Sequence, residues 1–177
     1  MTEITTVPTA DLAPADLRAA RALLQVVFAG AFGEDDWEHS LGGVHAIARD
    51  GGEIVGHAAV VRRQLVHRGR ALHAGYVEGV GVRADHRRRG IGGMLMDAIE
   101  GVVRDTYELG ALSTTDEAAT FYEGRGWLRW HGPTWVLTPA GLVRTADDDD
   151  DILVLPVTTG QATAGDLACD WRDGDLW

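Results

Sequence analysis

The stretch Tyr76–Met96, YVEGVGVRADHRRRGIGGMLM, limits what this chain can become more than any other. A strand, Tyr76 to Val82, runs into a polar, arginine-rich turn, Arg83 to Arg89. The turn opens through Gly90-Ile91-Gly92-Gly93 into a helix. Ile91, Met94, Leu95, Ala98, Ile99, Val102 and Val103 recur at helical spacing, so one helix face is apolar and buried. Three glycines in four residues weaken a helix start. They also let an anion reach backbone N–H groups that have no intrahelical partner, at the positive end of the helix dipole. A phosphate site needs no further chemistry, and Arg87, Arg88 and Arg89 add charge beside it.

The spacing Arg87-x-x-Gly90-x-Gly92 resembles the acetyl-CoA pyrophosphate loop of the GNAT acyltransferase superfamily. The resemblance implies that Val80, Gly81 and Val82 bind the pantetheine arm through backbone hydrogen bonds. It further implies that Arg87, Arg88, Arg89, Gly90, Ile91 and Gly92 hold the pyrophosphate. Gly79-Val80-Gly81-Val82-Arg83-Ala84 also fits the dinucleotide pattern G-x-G-x-x-A, with Glu100 following. Those glycines, however, lie inside the strand, and no βαβ unit precedes them.

The rest of the chain reads as an α+β order. A helix is predicted over Ala13–Ala31, with Pro14 in its first turn. Phe32–Gly43 is an acidic loop or short helix, in which Trp37 either lines a cleft or packs beneath. Strands Val44–Arg49 and Glu53–His67 flank the turn Asp50-Gly51-Gly52, a hairpin signal. Leu72–Val82 completes a meander. After the helix from Gly90 to about Tyr107 come a strand at Gly110–Thr114 and a helix opened by a capping box, Thr114-x-x-Glu117. A hairpin is expected over Trp127–His131 and Thr134–Thr138, and one more strand at Ile152–Val157. The predicted fold is a mixed, mostly antiparallel central sheet flanked by helices. It is read as one domain over residues 1–177, with a GNAT core at 12–138 and an extension at 139–177 that contributes to the substrate site.

A chain of 177 residues can bury a proper core. Its formal net charge of −11 makes nucleic acid and anionic membranes poor partners. There is no basic-then-apolar leader, no membrane-length apolar run and a single cysteine, Cys169, so a cytoplasmic protein without disulfides is expected. The seven histidines show no metal-ligand spacing, and no metal is expected. A basic cluster in an acidic chain suits an anionic cofactor and a cationic substrate.

Acyl transfer from a thioester to an amine needs a base for the amine and a proton for the leaving thiolate. Glu78 is the candidate base. It shares a strand face with Leu72, Ala74, Tyr76, Val80 and Val82, where burial would raise its pKa. The structural alternative is an edge carboxylate or half of an ion pair. Tyr122 is the candidate acid, with Phe121 as the core member of that pair. Ala118-x-x-Phe121-Tyr122-x-x-x-Gly126-Trp127 resembles the GNAT segment whose tyrosine lies near the coenzyme sulfur. Ser113 is either a substrate contact or a cap.

A closer resemblance spans almost the whole chain. Asp36-Trp37-Glu38-His39-x-Leu41-Gly42-Gly43, Gly75-Tyr76-Val77-Glu78, Tyr107-x-Leu109-Gly110-x-Leu112-Ser113 and the ending Cys169-Asp170-x-Arg172-x-Gly174-Asp175-x-Trp177 look like the aminoglycoside 2′-N-acetyltransferases. This implies direct transfer from acetyl-CoA to a polycationic acceptor in a ternary complex, with antibiotic resistance as the outcome, and suggests a homodimer. The implied substrate contacts are Asp36, Glu78, Gly79, Ser113, Asp147, Asp148, Asp175 and the carboxylate of Trp177. The sequence departs from the family at Gly30-Ala31-Phe32, where relatives carry Gly-Asp-Phe. Losing a buried, charge-assisted contact there would cost about 1–3 kcal/mol of substrate binding. Other acceptors, a cellular amine or a cell-wall amino sugar, stay open, as does a non-catalytic acyl-CoA-binding domain.

Overall fold

The computed structural model describes residues 1–177. In chain order the elements are β1 (Glu3–Pro8), α1 (Pro14–Val27), α2 (Glu34–His39), β2 (Val44–Asp50), β3 (Glu53–His67), β4 (Arg70–Val82), α3 (Ile91–Thr106), β5 (Leu109–Ser113), α4 (Asp116–Glu123), β6 (Leu128–Arg129), β7 (Thr134–Thr138), β8 (Gly141–Arg144), β9 (Ile152–Pro156) and β10 (Leu167–Asp170). They make the expected α+β class, a mixed, mostly antiparallel sheet with four helices. The chain forms two compact units, Met1–Val61 with Val77–Val102, and Arg62–Tyr76 with Val103–Trp177; β3, β4 and α3 contribute to both. No helix is long and apolar enough to cross a membrane.

In the first unit β1 pairs antiparallel with β2, and β2 with β3. The β2–β3 turn is Gly51-Gly52, both at positive φ (59° and 88°), as a two-residue hairpin with the twist of its strands requires. Leu12, Ala20, Leu24, Phe32, Trp37 and Ile47 form a core cluster, so Trp37 is a packing residue. α3 seats on β3 at Gly56, where a Cβ would stand 3.0 Å from Leu95 Cδ1 and 3.3 Å from Ile91 Cγ2. α1 stops at Val27 rather than running to Ala31. Ala29 turns left-handed (φ 52°), and the Gly30 N–H bonds back to the Gln25 carbonyl, closing the helix end.

In the second unit the strand order is β6-β9-β5-β4-β3-β10-β7-β8. β4 and β5 run parallel over Ala74–Tyr76 and Leu109–Ala111, while β9 is antiparallel to both β5 and β6. β10 is antiparallel to β3 on one side and parallel to β7 on the other.

Two sequence expectations change here, and three strands are new. The N-cap of α4 is Thr115, with no side-chain cap bond, not Thr114. The Thr114 N–H instead extends the β5–β9 ladder to the Asp151 carbonyl. The hairpin expected about Gly132-Pro133 does not form: β6 pairs with β9, and β7 turns back into β8. Gly132 (φ 145°) passes so close to Gly165 that a Cβ would lie 2.5 Å from the Gly165 carbonyl oxygen, and Pro133 has no N–H to give a ladder. Strands β1, β8 and β10 had no counterpart in the sequence reading.

Candidate functional site

In the first unit the site begins on β4. The period-2 alternation expected along this strand holds only to Ala74; Gly75, Tyr76 and Val77 are all buried, and Gly79 turns to a φ of +56°. Gly81 is buried, while Glu78, Val80 and Val82 are only partly buried, so Glu78 is not an enclosed carboxylate. Gly79 and Gly81 carry no side chain because α1 lies against them. A Cβ at Gly79 would meet Leu24 Cδ1 at 3.1 Å and Ser40 Oγ at 3.1 Å. One at Gly81 would meet Leu24 Cδ2 at 3.0 Å and Val27 Cγ1 at 3.1 Å. Close helix packing therefore accounts for the glycines that mimic a dinucleotide pattern.

After β4 the chain is pinned and then opens. The Arg83 N–H bonds to the Val55 carbonyl, and the Arg83 guanidinium reaches Glu53 (2.9 Å) and Asp85 (2.8 Å). Asp85 is held down to about 2 by Arg83 and His86. Arg87 Nε donates to the Val82 carbonyl at 3.1 Å. Arg88 (φ 60°) and Gly90 (φ 80°) take left-handed turns, and the first helical bond of α3 runs from the Met94 N–H to the Gly90 carbonyl. The N–H groups of Ile91, Gly92 and Gly93 thus precede any intrahelical acceptor. Arg87, Arg88, Arg89 and Gly90 are exposed, and nothing lies within 4 Å of where a Gly90 Cβ would be. Open backbone donors, a helix N-terminus and exposed guanidinium groups fit a pyrophosphate.

Beside Gly79 two histidines form a hydrogen-bonded chain. His57 Nδ1 lies 2.7 Å from the Gly79 carbonyl, and His57 Nε2 lies 2.9 Å from His45 Nδ1. His45 Nε2 lies 2.8 Å from Thr9 Oγ1. Trp37 covers both rings, with centroids 6.4 and 6.1 Å away. Burial lowers both histidines to about 4; for His57 the neighbouring His45 lowers it further and the Gly79 bond opposes. The sequence reading assigned these histidines no function, yet the β2–β3 hairpin already placed them near one another. His45 pairs with Ala59 and Ile47 with His57, which makes the histidines diagonal neighbours on one face. Asp36, on α2, accepts the Gly33 N–H through Oδ2 at 2.7 Å, capping that helix.

The second unit gathers the remaining candidates. Tyr122 on α4 is 8% exposed, and burial pushes its phenol up to about 12. It meets the edges of Phe121 (5.0 Å) and Trp127 (6.1 Å). Phe121, expected as the core member of the pair, is 42% exposed, so Tyr122 is the buried member instead. Ser113 ends β5 exposed.

Asp147 and Asp148 lie in a tight turn at Ala146–Asp148. Burial and the carboxylates of Asp151, Asp175 and Asp147 raise Asp148 above the usual carboxylate range. The aspartate run is thus divided. Asp148 faces other acids, whereas Asp149 accepts from Thr134 N (2.9 Å), Thr134 Oγ1 (2.9 Å) and Arg144 Nη1 (2.8 Å) and is held far below that range.

The segment 169–177 is anchored by Arg63, a residue the sequence reading passed over. Arg63 is 4% exposed. Its Nε donates to Asp170 Oδ1 (2.9 Å), Nη2 to the Asp170 carbonyl (2.7 Å) and Nη1 to the Leu176 carbonyl (2.7 Å). Its guanidinium lies 4.9 Å from the Tyr76 ring centroid. Trp177 Nε1 donates to Thr145 Oγ1 at 3.0 Å, and Arg172 Nε to the Asp175 carbonyl at 2.6 Å. The signal was present: Val61, Arg63 and Leu65 alternate along β3, and an arginine interrupts that apolar face.

Residues 10–129 match the acetyltransferase (GNAT) domain family. The chain is 48% identical over 175 residues to an aminoglycoside 2′-N-acetyltransferase of Mycolicibacterium fortuitum, covering 97% of this chain and 90% of that protein. Among solved structures, ElaA of Escherichia coli superposes with a TM-score of 0.62 at 16% identity, over 87% of this chain and 99% of that one. Eis1 of Mycobacterium abscessus gives 0.61 at 22% identity, over 74% of this chain and 32% of that one.

Proposed function

This chain belongs to the GNAT acetyltransferases and, within them, to the aminoglycoside 2′-N-acetyltransferase family; from that membership we propose that it moves an acetyl group from acetyl-CoA to the 2′-amine of aminoglycosides by direct transfer in a ternary complex. The observation that carries the acceptor reading is the gathering of Asp147, Asp151 and Asp175 about Asp148, which leaves a concentration of negative charge seeking cations. An aminoglycoside brings several ammonium groups to such a surface. Asp36, Ser113, Gly79 and Trp177 are the further proposed contacts.

For the donor, the exposed Arg87–Arg89, the open Gly90 turn and the N–H groups of Ile91 and Gly92 would hold the pyrophosphate, and the backbone of Val80, Gly81 and Val82 the pantetheine arm. Acetyl-CoA, when bound, supplies the activated thioester. Glu78, next to Gly79 and only partly buried, would take the ammonium proton through water, leaving a nucleophilic amine. Tyr122 keeps its proton at neutral pH and would give it to the departing sulfur. Residues 1–177 would act as one cytoplasmic acetyltransferase domain.

The experiment is free-thiol release from acetyl-CoA with two sets of aminoglycosides, one carrying a 2′-amine and the other a 2′-hydroxyl, run with the native protein and Glu78→Gln. Turnover is expected only with the 2′-amines, with kcat/KM reduced about 10²–10⁴-fold in the variant. Equal turnover of both sets removes the 2′ assignment, and an unchanged variant removes Glu78 as base. Thiol release only with other amines would favour a different acceptor, a reading that Ala31, in place of an acidic residue, keeps in view.

A further inference from the structure

The two buried histidines are hydrogen-bonded in one direction only. The Gly79 carbonyl can only accept, so His57 Nδ1 carries the hydrogen of the 2.7 Å bond. In a neutral ring His57 Nε2 is then an acceptor, and His45 Nδ1–H donates to it across 2.9 Å. That leaves His45 Nε2 as an acceptor for the Thr9 hydroxyl at 2.8 Å, nearer than the hydroxyl's other acceptor, the Gly43 carbonyl at 3.2 Å, while Thr9 Oγ1 accepts the Gly42 N–H at 3.0 Å. The opposite assignment would need a charged imidazole in a place where both rings are fully buried. The chain of donors therefore runs from Gly42 through Thr9, His45 and His57 to Gly79. Bonds aligned head to tail polarise and strengthen one another.

This chain ends on a carbonyl, so it has nowhere to deliver a proton. What it fixes is orientation. Gly79 has no Cβ to restrict its rotation, so its φ of +56° must be held by its surroundings. The Gly79 carbonyl and the Val80 N–H belong to one trans peptide and point in opposite directions. Holding the carbonyl towards His57 aims the Val80 N–H the other way, and it also sets the backbone that carries Glu78.

We propose that His57, braced by His45 and Thr9, is a positioning residue for acetyl transfer: it locks the Gly79–Val80 peptide so that the β4 backbone presents its hydrogen-bonding groups to the donor. The inference rests on the reading of Val80–Val82 as the pantetheine strand. It predicts that a side chain which restores the bond to Gly79 restores function, even when the bond to His45 is lost.

Two amides separate these bonds. In His57→Asn the amide nitrogen falls near the Nδ1 position, facing Gly79. In His57→Gln it falls near Nε2, facing His45. Coenzyme A affinity by titration calorimetry needs no acceptor, so it answers whether or not aminoglycosides are the substrates. The expected result is that Asn keeps affinity within about threefold while Gln weakens it about tenfold, the loss of roughly one hydrogen bond. Melting temperatures of the two variants should agree. Equal affinity in both variants overturns the proposal, as does a larger loss in Asn. A nitrogen-detected imidazole spectrum of the native protein gives an independent reading: His57 protonated at Nδ1 supports the chain, and protonation at Nε2 overturns it.

Discussion

At the scale of single residues, Asp148 shows a site working against its own fold. Its pKa is raised by burial and by three neighbouring carboxylates, so the folded protein binds its proton more readily than the unfolded chain. The carboxylate's contribution to stability is present at low pH and lost as pH rises through the folded value. At neutral pH it opposes folding until cations arrive. Asp148→Asn should therefore raise the melting temperature at pH 7 while raising KM for a polycationic acceptor about 3- to 10-fold; scanning calorimetry and steady-state kinetics read the two effects. Asp149, one position on, bears the contrary load: Arg144 and Thr134 bond it, and its removal would loosen the turn. Sequence alone ranks five consecutive aspartates alike. Only the fold decides which of them meets a guanidinium and which meets another acid.

At the scale of elements, legibility followed sequence distance. The β4–loop–α3 unit could be read because its signals are local: alternation, then glycines, then helical periodicity. Glu78 and the arginine cluster could be nominated as candidates for that reason, whereas Tyr122, on α4, was nominated by resemblance. β10 was not, because Leu167–Asp170 is short and its partners, β3 and β7, lie far back in the chain, one of them parallel. Arg63 escaped attention as well, since its three hydrogen-bond acceptors belong to residues 170 and 176. These two omissions are connected, for Arg63 is what holds the segment after β10. Arg63→Met removes the fork but leaves the Asp170 carboxylate and two carbonyls behind. A loss of about 1–3 kcal/mol is expected in denaturant unfolding, from the two carbonyls left without a donor, since the Asp170 carboxylate is 44% exposed and keeps the Gln64 N–H. Amide exchange should rise most over residues 167–177, which a general loosening would not single out.

At the scale of the whole molecule, the buried histidines set the response to acid. Both have folded pKa values of about 4 against an ordinary 6.5, so between these limits the unfolded chain binds more protons than the native one. Stability is then complete above about pH 6.5 and falls as pH drops towards 4, because each ring must charge on unfolding. Burial is the first cause for both rings; His45 lowers His57 further, and the Gly79 carbonyl opposes that shift. Urea unfolding at pH 7, 6, 5 and 4.5 should show a steady decline. A His45→Phe, His57→Phe double variant should flatten that slope, whatever its absolute stability.

The place of β10 has a consequence for how the protein is made. It separates β3 from β7, and those two strands never pair with each other. Both leave the ribosome before Leu167 does. Until it emerges, β3 and β7 each offer a row of unsatisfied backbone groups, the kind of edge that captures stray chains. A message truncated before this point would yield a product prone to clump rather than a slightly weaker enzyme. The residues that close the sheet are followed at once by Asp175 and Trp177, so translation through the proposed drug-binding end is also what makes the nascent chain safe.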